Sequence, residues 1–194
     1  MNNLRDIFIN KIGLTESHFQ HFTEIMDVSI IRRKEMLISP GVVCNFMAFI
    51  NSGLMRSFVI RGDYERNTDF YFEKYFVGAY ASFLTQTPTQ SYFEAMTDCE
   101  VFCINRQQYE ELISADAEWL RLGKYISEFI MIRKCRREMS FLKQTAAERM
   151  RDMLVQYPGI EQVIPQYHIA SYLGIKPESL SRIKLLDALN HRHS

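Results

Sequence analysis

The stretch QYHIASYLGIKPESLSRIKL, residues 166 to 185, decides how the rest of this sequence is interpreted. A helix-turn-helix needs a small residue where its two helices touch, a turn residue that tolerates a positive φ angle, and apolar residues on the inner face of the second helix. The residues that meet these needs are Ala170, Gly174, Leu180 and Ile183. Pro177 suits the first turn of a helix, so we expect the second helix to begin there. A helix pair used only for packing has the same pattern, so the stretch alone leaves a DNA-binding role and a packing role open.

The composition is that of a globular protein and excludes a membrane role. The chain has 194 residues, of which 47% are hydrophobic and 24% are charged. No apolar run approaches the roughly 18 residues of a membrane span. The first residues, MNNLRDIFINKIGL, lack the apolar core and cleavage site of a signal peptide. We therefore expect a cytoplasmic protein with no membrane partner.

The cysteines do not form a recognisable metal or disulfide pattern. No C-x-x-C pair and no Cys/His ligand spacing occurs. We expect reduced, mostly buried thiols and no metal or cofactor, with a metal or redox role as the alternative. The four cysteines are Cys44, Cys99, Cys103 and Cys135.

Charge is distributed unevenly along the chain, although the formal net charge is zero. Residues 1 to 120 contain 10 Lys or Arg and 16 Asp or Glu, whereas residues 121 to 194 contain 13 and 7. A basic second part that holds the helix-turn-helix would be drawn to phosphate. The alternative is a solvated basic helix, because the run RKCRR at residues 133 to 137 supplies much of this charge.

The periodicity of apolar residues predicts an α+β fold. Residues 1 to 27 have helical spacing, with Thr15 as an N-cap, and the spacing then changes to two over about seven short segments separated by Gly and Pro turns. Helical spacing returns from Arg106, and a further amphipathic helix is predicted over residues 145 to 157. The predicted fold is an N-terminal antiparallel β-roll, a jelly-roll-like double-stranded β-helix with flanking helices, followed by a long helix and the helix-turn-helix.

The long helix predicted over residues 116 to 141 has an apolar stripe wider than one packing face requires. We therefore expect one side to pack on the roll and the other on a second copy of the chain, which makes this a dimerisation helix. A fully buried helix in a monomer is the alternative. The expected dimer-interface residues are Leu122, Ile126, Phe129 and Ile130.

Over almost its whole length the sequence resembles the Crp/Fnr family of bacterial transcription regulators. The matching blocks are INSGLMRSF (50 to 58), FVGAYASFL (76 to 84), EAMTDCEVFCI (94 to 104), AERMRDML (147 to 154) and PESLSR (177 to 182). The resemblance implies a cyclic-nucleotide-binding-like sensor domain at residues 1 to 115, a dimerisation helix at 116 to 141 and a DNA-binding domain at 142 to 194. It implies a homodimer on a pseudo-palindromic operator in double-stranded DNA, with RNA polymerase and an unknown small-molecule effector as further partners.

The roll lacks the groups with which the family holds a cyclic nucleotide. Those members have Gly-Glu after a Phe and Arg-Ser-Ala after a Pro, whereas here Ala79 follows Gly78 and Thr89 follows Pro88. We therefore expect no tight binding of cyclic AMP, although Arg56 could supply a cation. The sequence leaves two interpretations of the roll interior, an apolar pocket and a plain core. The degenerate pocket would comprise Arg56, Phe76, Gly78, Ala79, Tyr80, Thr89, Gln90 and Ser91.

Enzyme function is not expected, because no nucleophile set occurs and the histidines lie outside the predicted strands, which excludes a metal-dependent cupin.

The predicted recognition helix keeps part of the family's DNA-reading set. Glu178 and Arg182 lie four residues apart on one face, which suits readout of a C·G pair, and Arg182 is the expected specificity residue. The expected DNA-binding residues are Gln166, Lys176, Glu178, Ser179, Arg182 and Lys184. Leu185 and Leu189 fall on the same face, and the domain lacks a full wing. The alternative function is therefore a dimeric sensor or interaction protein of the same fold that has lost operator binding.

Overall fold

The computed structural model describes residues 1 to 190, with side chains to residue 186. Within this range the chain forms eight strands and nine α-helices, which confirms the α+β prediction. The strands are β1 (Asp27–Ile31), β2 (Met36–Ile38), β3 (Phe46–Ser52), β4 (Met55–Arg61), β5 (Tyr64–Tyr71), β6 (Phe76–Val77), β7 (Tyr92–Ala95) and β8 (Cys99–Asn105). The helices are α1 (Asn2–Asp6), α2 (Glu16–Ile25), α3 (Tyr80–Thr85), α4 (Arg106–Ala115), α5 (Leu120–Lys143), α6 (Ala146–Gln156), α7 (Ile160–Val163), α8 (Gln166–Leu173) and α9 (Pro177–Asn190).

The strands form two four-stranded antiparallel sheets, in the orders β1-β8-β3-β6 and β2-β7-β4-β5. Strand β8 is central in the first sheet, where Phe102 lies opposite both Val28 and Phe49. Alternate residues of the strands point to opposite faces, and the apolar ones meet between the sheets. This arrangement confirms the predicted β-roll.

Several helix ends lie where the sequence predicts them. The Thr15 hydroxyl accepts a hydrogen bond from the backbone N–H of His18 and begins α2, as expected. Thr145 and Glu148 form a capping box that begins α6. The predicted dimerisation helix consists of a 3-10 turn at Ala117–Trp119 followed by α5.

The described chain divides into two compact units. The first comprises Met1–Phe58 and Phe70–Met131, so it contains most of the roll, helices α1 to α4 and the first half of α5. Its helices pack over the first sheet through a core that includes Phe8, Phe49 and Trp119. The second unit comprises Val59–Asp69 together with the helices from Ile132 onward. The tip of the β4–β5 hairpin therefore belongs to the helical unit that contains the helix-turn-helix.

Candidate functional site

The turn between α8 and α9 is built around Gly174. This residue has a φ angle of 74°, in the left-handed region that glycine adopts without strain. The N–H of Ile175 donates to the carbonyl of Ala170 at 3.0 Å, and the N–H of Gly174 donates to Ser171 at 3.1 Å. These two bonds form a Schellman motif, which ends α8 and turns the chain into α9. The Gly174 prediction is confirmed.

The inner faces of α8 and α9 are largely packed, and the predicted inner residue Ile183 is half-buried. Ala170, Leu173 and Leu180 are buried, as the predicted apolar seam requires. Gly174 also admits the Phe141 ring, because a β-carbon at this position would lie 2.7 Å from Phe141 Cε1. The end of α5 thus packs against the turn, so the orientation of α9 follows from contacts as well as from the turn itself.

The outer face of α9 carries the charged residues of the predicted recognition helix. Lys176, Glu178 and Arg182 are exposed, and Ser179 is half-buried. Among the described residues, none of the three charged side chains forms an ion pair. Glu178 and Arg182 are one turn apart on this surface, which leaves a carboxylate and a guanidinium available to an external partner.

Lys184 and Gln166, two of the expected DNA-binding residues, bind other groups of the chain. The Lys184 ammonium donates to Gln166 Oε1 at 2.5 Å and forms an ion pair with Glu161. The charge of Lys184 is therefore already balanced by a carboxylate. Its side chain extends from α9 to the start of α8. In this arrangement Lys184 and Gln166 join the two helices, and a phosphate contact would require breaking the ion pair.

Two leucines near the end of α9 are open to solvent. Leu185 is 62% exposed and the neighbouring Leu186 is 55% exposed. The side chain of Leu189, which we expected on the same face as Leu185, lies outside the described residues. An exposed apolar pair beside a charged face is compatible with a protein contact.

The tip of the β4–β5 hairpin holds α8 through buried polar groups that the sequence did not reveal. The Asn67 side-chain amide donates to the carbonyl of His168 at 3.0 Å, and the Asn67 N–H donates to Ser171 Oγ at 3.0 Å. The Ser171 hydroxyl in turn donates to the Glu65 carbonyl at 2.8 Å. Asn67 and His168 are buried, so these bonds position α8 relative to the hairpin.

The basic run at residues 133 to 137 is partly structural, which neither sequence interpretation expected. Arg133 forms an ion pair with Asp69 at 2.5 Å. One turn later, Arg137 donates to the carbonyls of Asn67 and Tyr172 at 3.1 and 2.9 Å. Residues four apart share a helix face, so this face of α5 binds the hairpin and α8.

In the roll, Arg56 is committed to a carboxylate. It lies on β4 directly opposite Glu94 on β7 and donates from Nε to Glu94 Oε2 at 2.6 Å. Arg56 is only 3% exposed, and its guanidinium carbon lies 4.0 Å from the centre of the Phe58 ring. The suggestion that Arg56 supplies a free cation for a phosphate is therefore wrong, because Glu94 neutralises its charge.

Three of the remaining residues of the predicted pocket line a small cavity. A cavity beside Phe76, Gly78 and Tyr80, closed by Ile126 and Ile130 of α5, has a volume of about 10 Å³, which is at most the space of one water molecule. The Tyr80 hydroxyl lies 2.7 Å from Ser127 Oγ, so a hydrogen bond joins the start of α3 to α5.

The loop that follows α3 bonds to the chain itself. The N–H of Thr89 donates to the Val42 carbonyl at 2.9 Å, and the N–H of Ser91 donates to Thr89 Oγ1 at 3.1 Å. Gln90 is exposed and Ala79 is buried. Neither Ala79 nor Thr89 has a charged group that could take the place of the family's Glu and Arg.

The predicted dimer interface needs correction in its first half. Leu122 and Ile126 are each 1% exposed because they pack into the core of the roll unit. Phe129 packs edge-on to Tyr75, with ring centres 5.1 Å apart, and Ile130 also packs on this core. Leu122 and Ile126 therefore face their own roll, whereas Phe129 and Ile130 are half-buried and keep part of their surface exposed.

The second half of α5 has a separate apolar stripe that faces solvent. Its spacings of three, four and three residues are those of a coiled-coil seam. The stripe consists of Ile132, Cys135, Met139 and Leu142, and all four are exposed. Sequence periodicity alone could not show which apolar residues of this helix the roll covers.

Among the described residues, no three His, Cys, Asp or Glu side chains cluster as metal ligands would. Within the same part of the chain, no helix combines the length and the apolar run that crossing a membrane requires.

Comparisons with known proteins agree with this geometry. Residues 29–116 match the cyclic nucleotide-binding domain family. No curated protein sequence matches the chain at a significant level. Among solved structures, a protein from Silicibacter pomeroyi assigned as a cAMP-binding regulatory protein is 25% identical, with a TM-score of 0.65 over 97% of this chain and 89% of the other.

Two less identical structures share the fold over similar lengths. The c-di-GMP-responsive global regulator CLP of Xanthomonas campestris is 17% identical, with a TM-score of 0.70 over 91% of this chain and 93% of its own. A protein from Eubacterium rectale assigned to the Crp/Fnr family of transcriptional regulators is 14% identical, with a TM-score of 0.72 over 95% and 88%. The resemblance inferred from the sequence is confirmed: residues 29–116 match the cyclic nucleotide-binding domain family, and the chain shares the fold of the Crp/Fnr regulators.

Proposed function

We propose that this chain is a DNA-binding transcription regulator that acts as a homodimer on a pseudo-palindromic operator. The observation that carries the proposal is the outer face of α9, where Arg182 and Glu178 are exposed and unpaired among the described side chains. The opposite face is anchored by buried Leu180. A helix fixed on one side and charged on the other suits insertion into a major groove.

Arg182 is the proposed specificity residue and Lys176 the proposed phosphate contact. A guanidinium can donate two hydrogen bonds to one guanine, which discriminates by roughly 1–3 kcal/mol per base pair. Glu178, one turn earlier, can accept from the amino group of cytosine. Lys176 precedes the helix and is exposed, so its ammonium can bind backbone phosphate without regard to sequence.

The DNA proposal is tested by selecting binding sequences from a random duplex pool with the parent and with two variants. Arg182→Ala should flatten the preference at one position of each half-site. Lys176→Ala should weaken binding to all sequences alike and lower the salt slope by about one unit. Arg151→Ala is the matched control, because Arg151 is exposed on α6 and outside the proposed interface.

The decisive negative result is a parent protein that retards no duplex DNA even at low salt, where phosphate attraction is strongest. An Arg182→Ala profile identical to the parent profile would instead reject α9 as the reading helix while leaving DNA binding intact.

For the homodimer, the proposed interface is the apolar stripe on the second half of α5. Leu142 is 73% exposed in a single chain, which is a large apolar surface to leave in water. Two copies related by a two-fold axis would bury each other's stripes and place their two Cys135 side chains close together.

Oligomeric state and thiol oxidation together test the dimer. Light scattering should give twice the 22.9 kDa chain mass, and Leu142→Asp should weaken association. Val155→Asp is the control, because Val155 is an exposed apolar residue on α6. A monomer at all concentrations contradicts the proposal.

Mild oxidation should also link two chains through Cys135, and Cys135→Ser should abolish the linkage. Cys135 is the exposed thiol, whereas Cys44 and Cys99 are buried. The pKa of Cys103 is raised to about 11, chiefly by burial, so that thiol stays protonated and reacts slowly. Linkage that persists in Cys135→Ser would argue against a seam along this stripe.

We further propose that the regulator does not respond to cyclic AMP. The support is the loss of both anchoring groups at Ala79 and Thr89, the pairing of Arg56 with Glu94, and the small cavity beside Tyr80. Calorimetry with millimolar cyclic AMP should give no binding heat. Micromolar binding would reject this part of the proposal without affecting the DNA test.

Exposed Leu185 and Leu186 favour a second candidate function, a dimeric interaction protein that has lost operator binding. The DNA selection separates the two, because the second function requires that no sequence be enriched by the parent.

A further inference from the structure

A basic cavity lies within the helical unit, away from the outer face of α9. It has a volume of about 370 Å³, within the range of small-molecule pockets. Its walls come from the second half of α5, from α6 and from the end of α8. No residue of the predicted pocket in the roll lines it.

Positive charge exceeds negative charge in the lining by three. Five cationic side chains converge on the cavity: Arg133, Arg136, Arg137, Lys143 and Arg149. The two carboxylates, Asp69 and Asp152, are both engaged by neighbours. Asp69 binds Arg133 at 2.5 Å, and Asp152 accepts a hydrogen bond from the Gln144 amide at 2.5 Å.

Two of the guanidiniums lie over the same aromatic ring, and neither has a carboxylate partner among the described residues. The carbon atoms of the Arg137 and Arg149 guanidiniums lie 4.9 and 4.6 Å from the centre of the Phe141 ring. Both donate to backbone carbonyls, Arg137 to Tyr172 and Arg149 to Leu173, and neither forms an ion pair among the described residues. Burial, and then the charge of Arg137, lower the pKa of Arg149. An anion in the cavity would relieve this repulsion.

Other groups of the lining are also available to a ligand. Arg136 and Lys143 are exposed and have no hydrogen-bond or ion-pair partner among the described side chains. The Gln144 Oε1 atom is buried and, within the same part of the chain, accepts no hydrogen bond. A buried acceptor without a donor is costly, so a ligand hydroxyl or amino group would be favoured beside it.

We infer that this cavity binds a small phosphorylated molecule that also carries a hydroxyl or amino donor. The phosphate would lie between Arg136, Lys143 and the guanidinium of Arg149, and the donor would bind Gln144 Oε1. Arginine and lysine together supply the charge-assisted hydrogen bonds that a phosphate requires. A cavity of this size holds a sugar phosphate, whereas an extended nucleic-acid backbone would contact only its rim.

Calorimetry at constant ionic strength tests the site with ribose 5-phosphate, with ribose and with inorganic pyrophosphate as probes. Ribose 5-phosphate should bind the full-length protein and ribose should not. The double variant Arg136→Gln/Lys143→Gln should raise the dissociation constant at least about tenfold, because it removes two charged donors. The matched control is Lys124→Gln/Arg151→Gln, which removes two exposed charges outside the cavity and should bind as the parent does.

Three results would overturn the inference. One is that neither phosphorylated probe binds, and another is equal weakening in the two double variants, which would indicate a general charge effect. The third is that Arg136→Gln/Lys143→Gln weakens retardation of duplex DNA while leaving probe binding unchanged, which would assign these cations to the DNA backbone. None of these outcomes depends on the Arg182 selection experiment, so the cavity and the proposed function fail independently.

Discussion

Breaking the buried ion pair of the roll should be strongly destabilising, whereas replacing it should not. Arg56 is 3% exposed, and the Glu94 side chain is 14% exposed. Glu94→Gln removes the carboxylate that pairs with this buried guanidinium, and breaking a buried ion pair by removing one partner costs roughly 3–5 kcal/mol. Replacing both residues, as Arg56→Met/Glu94→Leu, removes both desolvation penalties. The double variant should therefore lie within about 2 kcal/mol of the parent, or be more stable.

Denaturant unfolding followed by tryptophan fluorescence measures the stability of the roll unit, which contains this ion pair. Trp119 is the single tryptophan and lies in the core of the roll unit. The midpoint should fall for Glu94→Gln and recover in the double variant, with an unchanged denaturant slope. A loss below about 1 kcal/mol for Glu94→Gln, or a double variant as unstable as the single one, would refute the reasoning that the pair is buried and mutually dependent.

Three other predictions concern the helical unit. Gly174→Ala should lower the free energy of unfolding by about 1–2 kcal/mol for its left-handed backbone, and by more because the new β-carbon clashes with Phe141. Gly159→Ala is the control, because nothing lies within 4 Å of its β-carbon and only the backbone cost applies. Equal losses of stability in thermal unfolding followed by circular dichroism would contradict this. Thr145→Ala should cost about 1 kcal/mol by removing the cap of α6. Hydrogen bonds from the backbone N–H and then the hydroxyl of Thr145 lower the pKa of Glu148. The extra stability of the parent over Glu148→Ala should therefore be complete above the unfolded-state pKa and be lost as the pH falls through the lower folded-state pKa. Extra stability that persists at pH values below both pKa values would contradict the capping role.

Local sequence signals predicted the helix boundaries that depend on neighbouring residues. Thr15 and Gly174 act within a few residues of their own positions, so their side chains or backbone freedom could be interpreted directly. Helices α3 and α7 were not predicted, because six and four residues are too short to establish a helical period. The exposure of Arg182 was predicted correctly, since Leu180 identified the inner face of α9.

The roles of several charged residues could not be predicted, because their partners are distant in sequence. Arg56 meets Glu94 38 residues later, and Asn67 meets His168 101 residues later. Nothing in the local pattern distinguishes an arginine that binds a ligand from one that crosses a sheet to a carboxylate. The same limit explains why the sequence left Arg133 and Arg137 open between a phosphate-attracting region and a solvated basic helix.

The order of elements, the antiparallel roll and the helix-turn-helix follow from the sequence alone, because periodicity, capping and turn chemistry act over a few neighbouring residues. Packing was needed to decide which surfaces remain free. It covers Leu122 and Ile126 with the roll, exposes Leu142, and neutralises Lys184 with Glu161. It also gathers cations from α5 and α6 around one cavity. Exposure and charge pairing depend on which distant segments meet in space, and a one-dimensional pattern does not contain that information.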